Sequence, residues 1–138
     1  MSIHRLFLDA NVLFSAAYRP DNGLLQLSAL SDVELVTSTY AVDEAHVNLA
    51  SETQWRRLDE LVNRMRLSVG IAQLPSGLVL PHKDQPILQA AIYARATHLL
   101  TGDKSHFGRD FGRTVAGVLI LPPSDYLRPR EVRDRRRS

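Results

Sequence analysis

Apolar residues along the chain fall into short continuous runs and into longer stretches with helical spacing. Four short runs, "IHRLFLD", "VELVTS", "THLLTGD" and "VAGVLIL", lack the polar alternation of a half-exposed strand. Such runs are typical of strands that are buried on both faces of a sheet. The first ends at Asp9, the third at Asp103, and the last is stopped by Pro122 and Pro123. A further short strand is predicted near Ile71.

The stretches between these runs have the spacing of amphipathic helices. From Glu52 to Ser68 the apolar residues recur at i, i+3, i+4 and i+7, which predicts a helix over that range. Helices are also predicted at "NVLFSAAY", "NGLLQLSAL", "TYAVDEAHVNLA" and "DQPILQAAIYARA". Ser38 or Thr39 caps the third of these, and Asp84 caps the fourth, with Pro86 in its first turn.

The alternation of strands with helices predicts the fold class. It indicates a single three-layer α/β/α domain whose sheet has four or five mostly parallel strands. The chain has 138 residues, which suits one domain, and 44% of them are hydrophobic, enough to build a core. We assign this domain to residues 1–127.

The net charge of +2 hides an uneven distribution. Residues 128–138, "RPREVRDRRRS", carry six arginines and two acids, so this tail has a charge of +4 and the remainder, with 11 basic and 13 acidic residues, has −2. A basic, disordered tail is therefore predicted, either solvated or in contact with phosphates. The acidic body needs another means of holding an anionic substrate.

Several classes of protein are excluded by what the sequence lacks. There are no cysteines, so disulfides and thiolate metal sites are ruled out. No apolar run approaches the roughly 18 residues of a membrane span, and the N-terminus does not have the pattern of a signal peptide. These features predict a cytoplasmic protein that does not act at a membrane.

Four acids occupy positions at which an α/β sheet binds ligands. Asp9 and Asp103 end strands, whereas Glu44 and Asp84 lie early in helices. Because strand carboxyl ends and the following helix amino ends share one edge of a parallel sheet, the four acids are expected to converge there. Singly each is an ordinary cap or surface acid; together they predict a site for Mg²⁺ or Mn²⁺, which prefer oxygen ligands.

Other chemistries fit the sequence poorly. The five histidines lack the spacing of a zinc site, and each is interpreted as a surface or hydrogen-bonded residue. Neither a G-x-x-x-x-G-K-[ST] loop nor a G-x-G-x-x-G turn is present. No serine stands in a G-x-S-x-G context, which removes the usual hydrolase nucleophile. The step from Asp9 to Asn11 lacks the second acid of a dehalogenase-type phosphatase.

The motifs around the acids resemble PIN-domain ribonucleases, a family that includes VapC-like toxins and other small single-domain proteins. "LFLDANVLFSA" resembles the family's opening strand and helix, and "TSTYAVDEAHVNL" its second acidic segment. "HKDQPILQAAIYARATHLLTGDKSHF" is similar to the segment with the third and fourth acids, and "GVLILPPSDYL" to the closing strand. The match extends in order to about residue 127.

The resemblance implies a set of metal ligands, Asp9, Glu44, Asp84 and Asp103, that holds one or two Mg²⁺ or Mn²⁺ ions. Asp43 stands beside Glu44, and Glu44 is the one that fits the family pattern. The resemblance further implies that Asn11 and Thr101 orient the carboxylates or bind a phosphate. Lys104 and Arg109, basic side chains expected near the cleft, are candidates for phosphate contacts or plain surface charges.

The leading hypothesis is a metal-dependent endoribonuclease that cleaves single-stranded or structured RNA. Family and size further imply the toxin of a toxin–antitoxin pair, with a small antitoxin as partner, and a homodimer. The alternative is a catalytically inactive PIN-like module that binds RNA or a protein. A receiver-like signalling domain fits less well, because an acid pair at the first strand and a lysine after the last are missing.

Mutual repulsion is expected among the gathered carboxylates when no cation is bound. Such repulsion raises the pKa of one acid of a cluster. The sequence therefore predicts that Asp103→Asn leaves the metal-free protein as stable as the wild type or more stable.

Overall fold

A six-stranded sheet forms the centre of the fold. The computed structural model describes residues 3–20, 27, 29–78 and 80–128. Within them the strands are β1 (His4–Leu8), β2 (Val33–Ser38), β3 (Arg66–Ser68), β4 (His98–Leu100), β5 (Thr114–Val115) and β6 (Val118–Leu121). Their order across the sheet is β3-β2-β1-β4-β6-β5, and every neighbouring pair is parallel except β5 and β6.

The predicted fold class is confirmed, with more strands than expected. The additional strands are short ones at the two edges of the sheet: β3 has three residues and β5 has two. Segments this short carry little hydrophobic pattern, because an edge strand is held mainly by backbone hydrogen bonds to its one neighbour. The four runs that the sequence predicted as strands contain β1, β2, β4 and β6, but the last run also contains Val115 of β5, which turns back to pair with β6.

Both faces of the sheet are covered. Leu6, Phe7 and Leu8 are consecutive in β1, so their side chains point alternately to opposite faces, and all three have no exposed surface. The same holds for Leu99 and Leu100 in β4. Burial of neighbouring residues on opposite faces requires a layer of structure on each side, which is the three-layer arrangement.

In the described residues, helices alternate with the strands as the sequence predicted, although it did not predict Lys104–Phe107 or residues 123–128 as helical. They are α1 (Ala10–Tyr18), α2 (Thr39–Asn48), α3 (Glu52–Val62), α4 (Gln85–Tyr93) and α5 (Lys104–Phe107), with 3₁₀ turns at His82–Asp84 and Gly108–Asp110; residues 123–128 are also helical. The α1 helix packs against α2 and α3, while α4 contacts β2 and β4. No helix in the described part of the chain is long and apolar enough to span a membrane.

The region between α3 and α4 differs from the sequence prediction. The helix predicted from Glu52 to Ser68 ends at Val62, and Arg66–Ser68 forms strand β3 beside β2. The strand predicted near Ile71 is irregular chain. Helical spacing of Met65 favours continuation of α3, but pairing of the next three residues with the open edge of β2 prevails over this local preference.

Two predicted segments lie outside the described residues. Most of "NGLLQLSAL" belongs to residues 21–26 and 28, and the arginine-rich tail belongs to residues 129–138, apart from Arg128. The division into a domain of residues 1–127 and a basic tail therefore stays a prediction.

The strand order places a natural ligand site between β1 and β4. From β1 the chain adds β2 and β3 on one side, whereas β4, β6 and β5 lie on the other. Open parallel sheets bind ligands at this reversal, outside the carboxyl ends of the two central strands. Asp9 directly follows β1, and Asp103 follows β4 after Thr101 and Gly102.

Candidate metal centre

A cleft of about 370 Å³ opens at this reversal of strand order. All four predicted ligands contribute to its walls. Its lining consists of Asp9, Ala10, Asn11, Phe14, Glu44, Asn48, Asp84 and Asp103. The structure thus brings together four acids that come from four different segments of the chain.

The Asp9 carboxylate uses its two oxygens for different tasks. Oδ1 accepts a hydrogen bond from the backbone N–H of Ala10 at 2.6 Å, at the start of α1. Oδ2 accepts one from the Thr101 hydroxyl at 2.8 Å. The residue is only 4% exposed. Burial raises the pKa of Asp9 to about 6, against the lowering effect of its hydrogen bonds and with repulsion from Asp84 and Glu44.

Thr101 and Asn11 connect the acids at the ends of β1 and β4. The Thr101 Oγ1 that donates to Asp9 also accepts from the backbone N–H of Asp103 at 3.2 Å and from Asn11 Nδ2 at 3.3 Å. The Asn11 Oδ1 accepts from the backbone N–H of Gly102 at 2.9 Å. This network fixes the separation of the two strand ends.

Thr101→Val tests that network, since valine keeps the shape of threonine and removes its hydroxyl. Asp9 then loses a hydrogen bond to its charged form, and the N–H of Asp103 loses its acceptor. We expect the free energy of unfolding to fall by about 1–3 kcal/mol and the pKa of Asp9 to rise further. Urea denaturation and NMR titration of the Asp9 carboxyl carbon measure the two effects, and Thr101→Ser should restore both.

Asp84 and Asp103 both approach the same nitrogen atom of the His106 ring. The Nδ1 atom of His106 lies 2.8 Å from Asp84 Oδ2 and 2.8 Å from Asp103 Oδ2. One ligand atom from each of the three residues lies within 4.8 Å of the other two. Asp84 is almost completely buried. Its side chain does not cap α4, although its position before Gln85 and Pro86 predicted a cap.

Asp103 is both a helix cap and a wall of the cleft. Its Oδ1 accepts from the backbone N–H of His106 at 3.1 Å, at the start of α5, and from the Ser105 hydroxyl at 2.8 Å. Partial burial raises the pKa of Asp103, but the bonds from Ser105 and His106 and the charge of the His106 ring outweigh it and lower the pKa overall. The raised pKa predicted for one acid of the cluster is therefore found at Asp9 and not at Asp103, on whose repulsion the prediction for Asp103→Asn depended.

Glu44, rather than its neighbour Asp43, faces the cleft. Glu44 is among the lining residues and is half-buried, whereas Asp43 is exposed on α2 and absent from the lining. A hydrogen bond connects the hydroxyl of Tyr40, one turn earlier in α2, with the Glu44 side chain. Burial and this bond raise the pKa of Tyr40, with further effects from the charges of Glu44, Asp84 and Asp9.

The two basic candidates lie outside the lining of the cleft. Lys104 is exposed at the first position of α5, directly after Asp103. Arg109 lines a separate depression that also contains Arg113 and the buried Asp110. The Arg113 Nη1 atom pairs with Asp110 Oδ1 at 3.0 Å.

His106 is the residue that sequence reasoning missed. The spacing of the histidines among themselves indicates no metal site, so the sequence predicted a surface or hydrogen-bonded residue here. The spacing that indicates the contact is the one to Asp103, three residues earlier, because residues i and i+3 share one face of a helical turn.

The donor set fits a divalent cation. Four carboxylates contribute oxygen atoms to one cleft, and oxygen is the ligand that Mg²⁺ and Mn²⁺ prefer. The raised pKa of Asp9 shows that negative charge there is disfavoured by burial and by two neighbouring acids. A cation held by Asp9, Glu44, Asp84 and Asp103 would relieve that cost.

The metal-free protein is therefore expected to lose stability as the pH rises. The folded pKa of Asp9 is about 6 and its ordinary value is 3.8, so the fold favours the protonated form. The contribution of Asp9 to the free energy of unfolding is fully present below pH 3.8. It is lost as the pH rises from there through about 6. At 1.36 kcal/mol per unit the loss is about 3 kcal/mol.

The measurement is urea denaturation in EDTA between about pH 4 and pH 8, with wild type and Asp9→Asn side by side. Only the difference between their two pH profiles reports on this group, because other acids contribute equally to both. Parallel profiles would show that the Asp9 carboxyl titrates normally.

The chain has the fold of a solved structure. It is similar to a chain in the crystal structure of VapBC2 from Rickettsia felis bound to a DNA fragment from their promoter, with a TM-score of 0.61 and 16% sequence identity. The similarity covers 86% of this chain and 98% of that chain, and at this identity it concerns the fold alone. No protein-family model matches the chain. No curated protein matches it either.

Proposed function

We propose that this chain is a PIN-type, metal-dependent endoribonuclease that hydrolyses phosphodiester bonds of single-stranded or structured RNA in the cytoplasm. One observation carries the proposal above all others. Four carboxylates, separated by as many as 94 positions between Asp9 and Asp103, line a single cleft at the point where the strand order reverses. The fold that it shares with the VapBC2 chain supports the assignment.

The roles of the residues follow from their positions. Asp9, Glu44, Asp84 and Asp103 would hold one or two Mg²⁺ or Mn²⁺ ions. Such an ion supplies a bound water of lowered pKa and neutralises charge on the phosphate. Among the described residues, the cleft lining contains neither a serine nor a lysine that could serve as a nucleophile in place of such a water.

Thr101 and Asn11 would act by orientation. Through its hydroxyl, Thr101 holds Asp9 Oδ2 at a fixed place relative to the backbone of Asp103. Asn11 ties the start of α1 to Gly102. The His106 ring, in contact with Asp84 and Asp103, would keep those two carboxylates in place before an ion enters. Rigid ligands lose less freedom when they bind an ion, which is why such supporting contacts strengthen metal sites.

Phosphate contacts outside the cleft would complete substrate binding. Lys104 is exposed directly after Asp103 and would contact a phosphate next to the one at the carboxylates. Arg109 lies in its own depression and would contact a more distant part of the RNA. The arginine-rich tail would add sequence-independent affinity that weakens with salt.

We further propose an antitoxin partner and a homodimeric state. The VapBC2 structure contains a complex bound to promoter DNA, which supports a toxin–antitoxin role for a chain that shares its fold. A small protein that covers the acidic cleft would block the nuclease.

Cleavage of labelled RNA with Mg²⁺, with Mn²⁺ and with EDTA tests the proposed function. We expect cleavage in the presence of either cation and none in EDTA. The alternative, an inactive PIN-like module that binds RNA or a protein, predicts intact RNA under all three conditions. The presence of all four carboxylates in one cleft favours the active enzyme.

A further inference from the structure

The first helix carries two aromatic rings along the face that begins in the acidic cleft. Asn11, Phe14 and Tyr18 stand at i, i+3 and i+7, so they share one face of α1. Phe14 lines the cleft itself. The ring of Tyr18 stacks on that of Phe14, with centroids 5.4 Å apart and planes inclined by 23°. The acidic cleft therefore continues into an aromatic surface.

Tyr18 is placed for contact with a molecule outside the fold. Phe14 supports its ring from the side of the cleft, yet 49% of the residue is exposed. Packing in the hydrophobic core does not explain a tyrosine whose ring is stacked on Phe14 and still half exposed. Flat, supported and accessible tyrosine rings are surfaces on which nucleobases stack.

Positive charge lies at the end of α1 that is farther from the acids. The Arg19 guanidinium is 5.8 Å from the centroid of the Tyr18 ring. The Arg57 Nη1 atom donates to the carbonyl oxygen of Ala17 at 2.6 Å, which brings a second arginine to this end of the helix. Arginine pairs well with phosphate groups. An RNA strand along α1 would thus pass from the carboxylates, over two aromatic rings, to two cations.

We propose that Tyr18, supported by Phe14, is a stacking subsite for an unpaired base of the RNA substrate. Seven residues of helix separate Asn11 from Tyr18, a distance of about 10 Å. At that distance the base on Tyr18 belongs to a nucleotide close along the strand to the phosphate at the carboxylates. The inference rests on the proposed function, and it selects single-stranded over double-stranded RNA. Bases within a duplex are already stacked on both faces.

Fluorescence anisotropy with a labelled single-stranded RNA of about ten nucleotides tests the subsite. The buffer contains Ca²⁺, which compensates carboxylate charge, and gel electrophoresis checks that the RNA stays intact. Tyr18→Ala is expected to raise the dissociation constant about five-fold or more. Tyr18→Phe keeps the ring and should bind as the wild type does. Tyr93→Ala, which removes a similarly exposed tyrosine from the far end of α4, is the matched control.

The same titration with a duplex of that sequence completes the experiment. The affinity for the duplex should not change between wild type and Tyr18→Ala. Equal single-strand affinities of wild type and Tyr18→Ala would overturn the inference, and so would equal losses for single strand and duplex. If RNA binding depends on Tyr18 but the protein does not cleave RNA in Mg²⁺, the proposed nuclease activity is refuted and the subsite stands. If the protein cleaves RNA but its binding does not change in Tyr18→Ala, the subsite is refuted and the nuclease activity stands.

Discussion

Replacing Asp84 by asparagine is expected to lower the rate of metal-dependent RNA cleavage by about a hundred-fold or more. Asparagine has the shape of aspartate but lacks its charge, and a carboxylate ligand contributes several kcal/mol to the binding and placement of a catalytic cation. Asp84 is almost completely buried, and its carboxylate approaches the same His106 ring nitrogen as the carboxylate of Asp103 does. The measurement is the initial rate of cleavage of labelled RNA at saturating Mg²⁺.

Asp43→Asn is the matched control for this change. Asp43 is exposed on α2 beside Glu44 and does not line the cleft, so its charge is removed without loss of a ligand. We expect Asp43→Asn to cleave within about two-fold of the wild-type rate, and Glu44→Gln to lose activity as Asp84→Asn does. If Asp43→Asn were the inactive variant, the assignment of Glu44 to the cleft would be wrong.

Mn²⁺ is expected to stabilise the wild-type protein strongly at neutral pH. An ion that binds the folded chain alone, at about 100 times its dissociation constant, adds about 3 kcal/mol to the free energy of unfolding. For a chain of this size the melting temperature rises by roughly 5–10 °C. Asp103→Asn removes one ligand, and a ten-fold loss of affinity would halve the gain. Thermal unfolding of both proteins with Mn²⁺ and with EDTA measures the difference.

In EDTA, Asp103→Asn is expected to be less stable than the wild type near neutral pH, by about 1 kcal/mol. The sequence predicted equal or greater stability because of repulsion between carboxylates. The lowered pKa of Asp103 reverses that expectation, since Ser105 and His106 stabilise its charged form. This stabilisation is present above the ordinary pKa of an aspartate and is lost as the pH falls through the lowered value. A variant as stable as the wild type in EDTA would restore the repulsion argument.

The sequence was informative about the strand ends because their signals are local. Asp9 and Asp103 stand where apolar runs stop, and a parallel sheet brings such ends to one edge whatever the remaining details of packing. The acids in the helices follow from the same geometry, because α2 and α4 begin at that edge. Asp103 caps α5 through its Oδ1, which accepts from the backbone N–H of His106, and it also lines the cleft. Its role as a metal ligand stays a prediction.

What the sequence did not reveal depends on contacts between distant segments. The contact of His106 with Asp84 requires a four-residue helix, α5, whose orientation no hydrophobic pattern reports. Strand β3 exists because β2 offers an open edge, although helical spacing continues as far as Met65, directly before this strand. The raised pKa of Asp9 results from its almost complete burial and from the charges of Asp84 and Glu44, which are far away in the sequence.

An anomalous difference map from crystals soaked in Mn²⁺ shows directly whether the four carboxylates form one cation site. We expect a peak in the cleft, at about 2.0–2.3 Å from carboxylate oxygens of at least two of Asp9, Glu44, Asp84 and Asp103. In crystals of Asp84→Asn the peak should weaken or disappear. A map from fully soaked wild-type crystals with no peak in the cleft, or with Mn²⁺ bound only elsewhere, would show that the four carboxylates do not form a cation site.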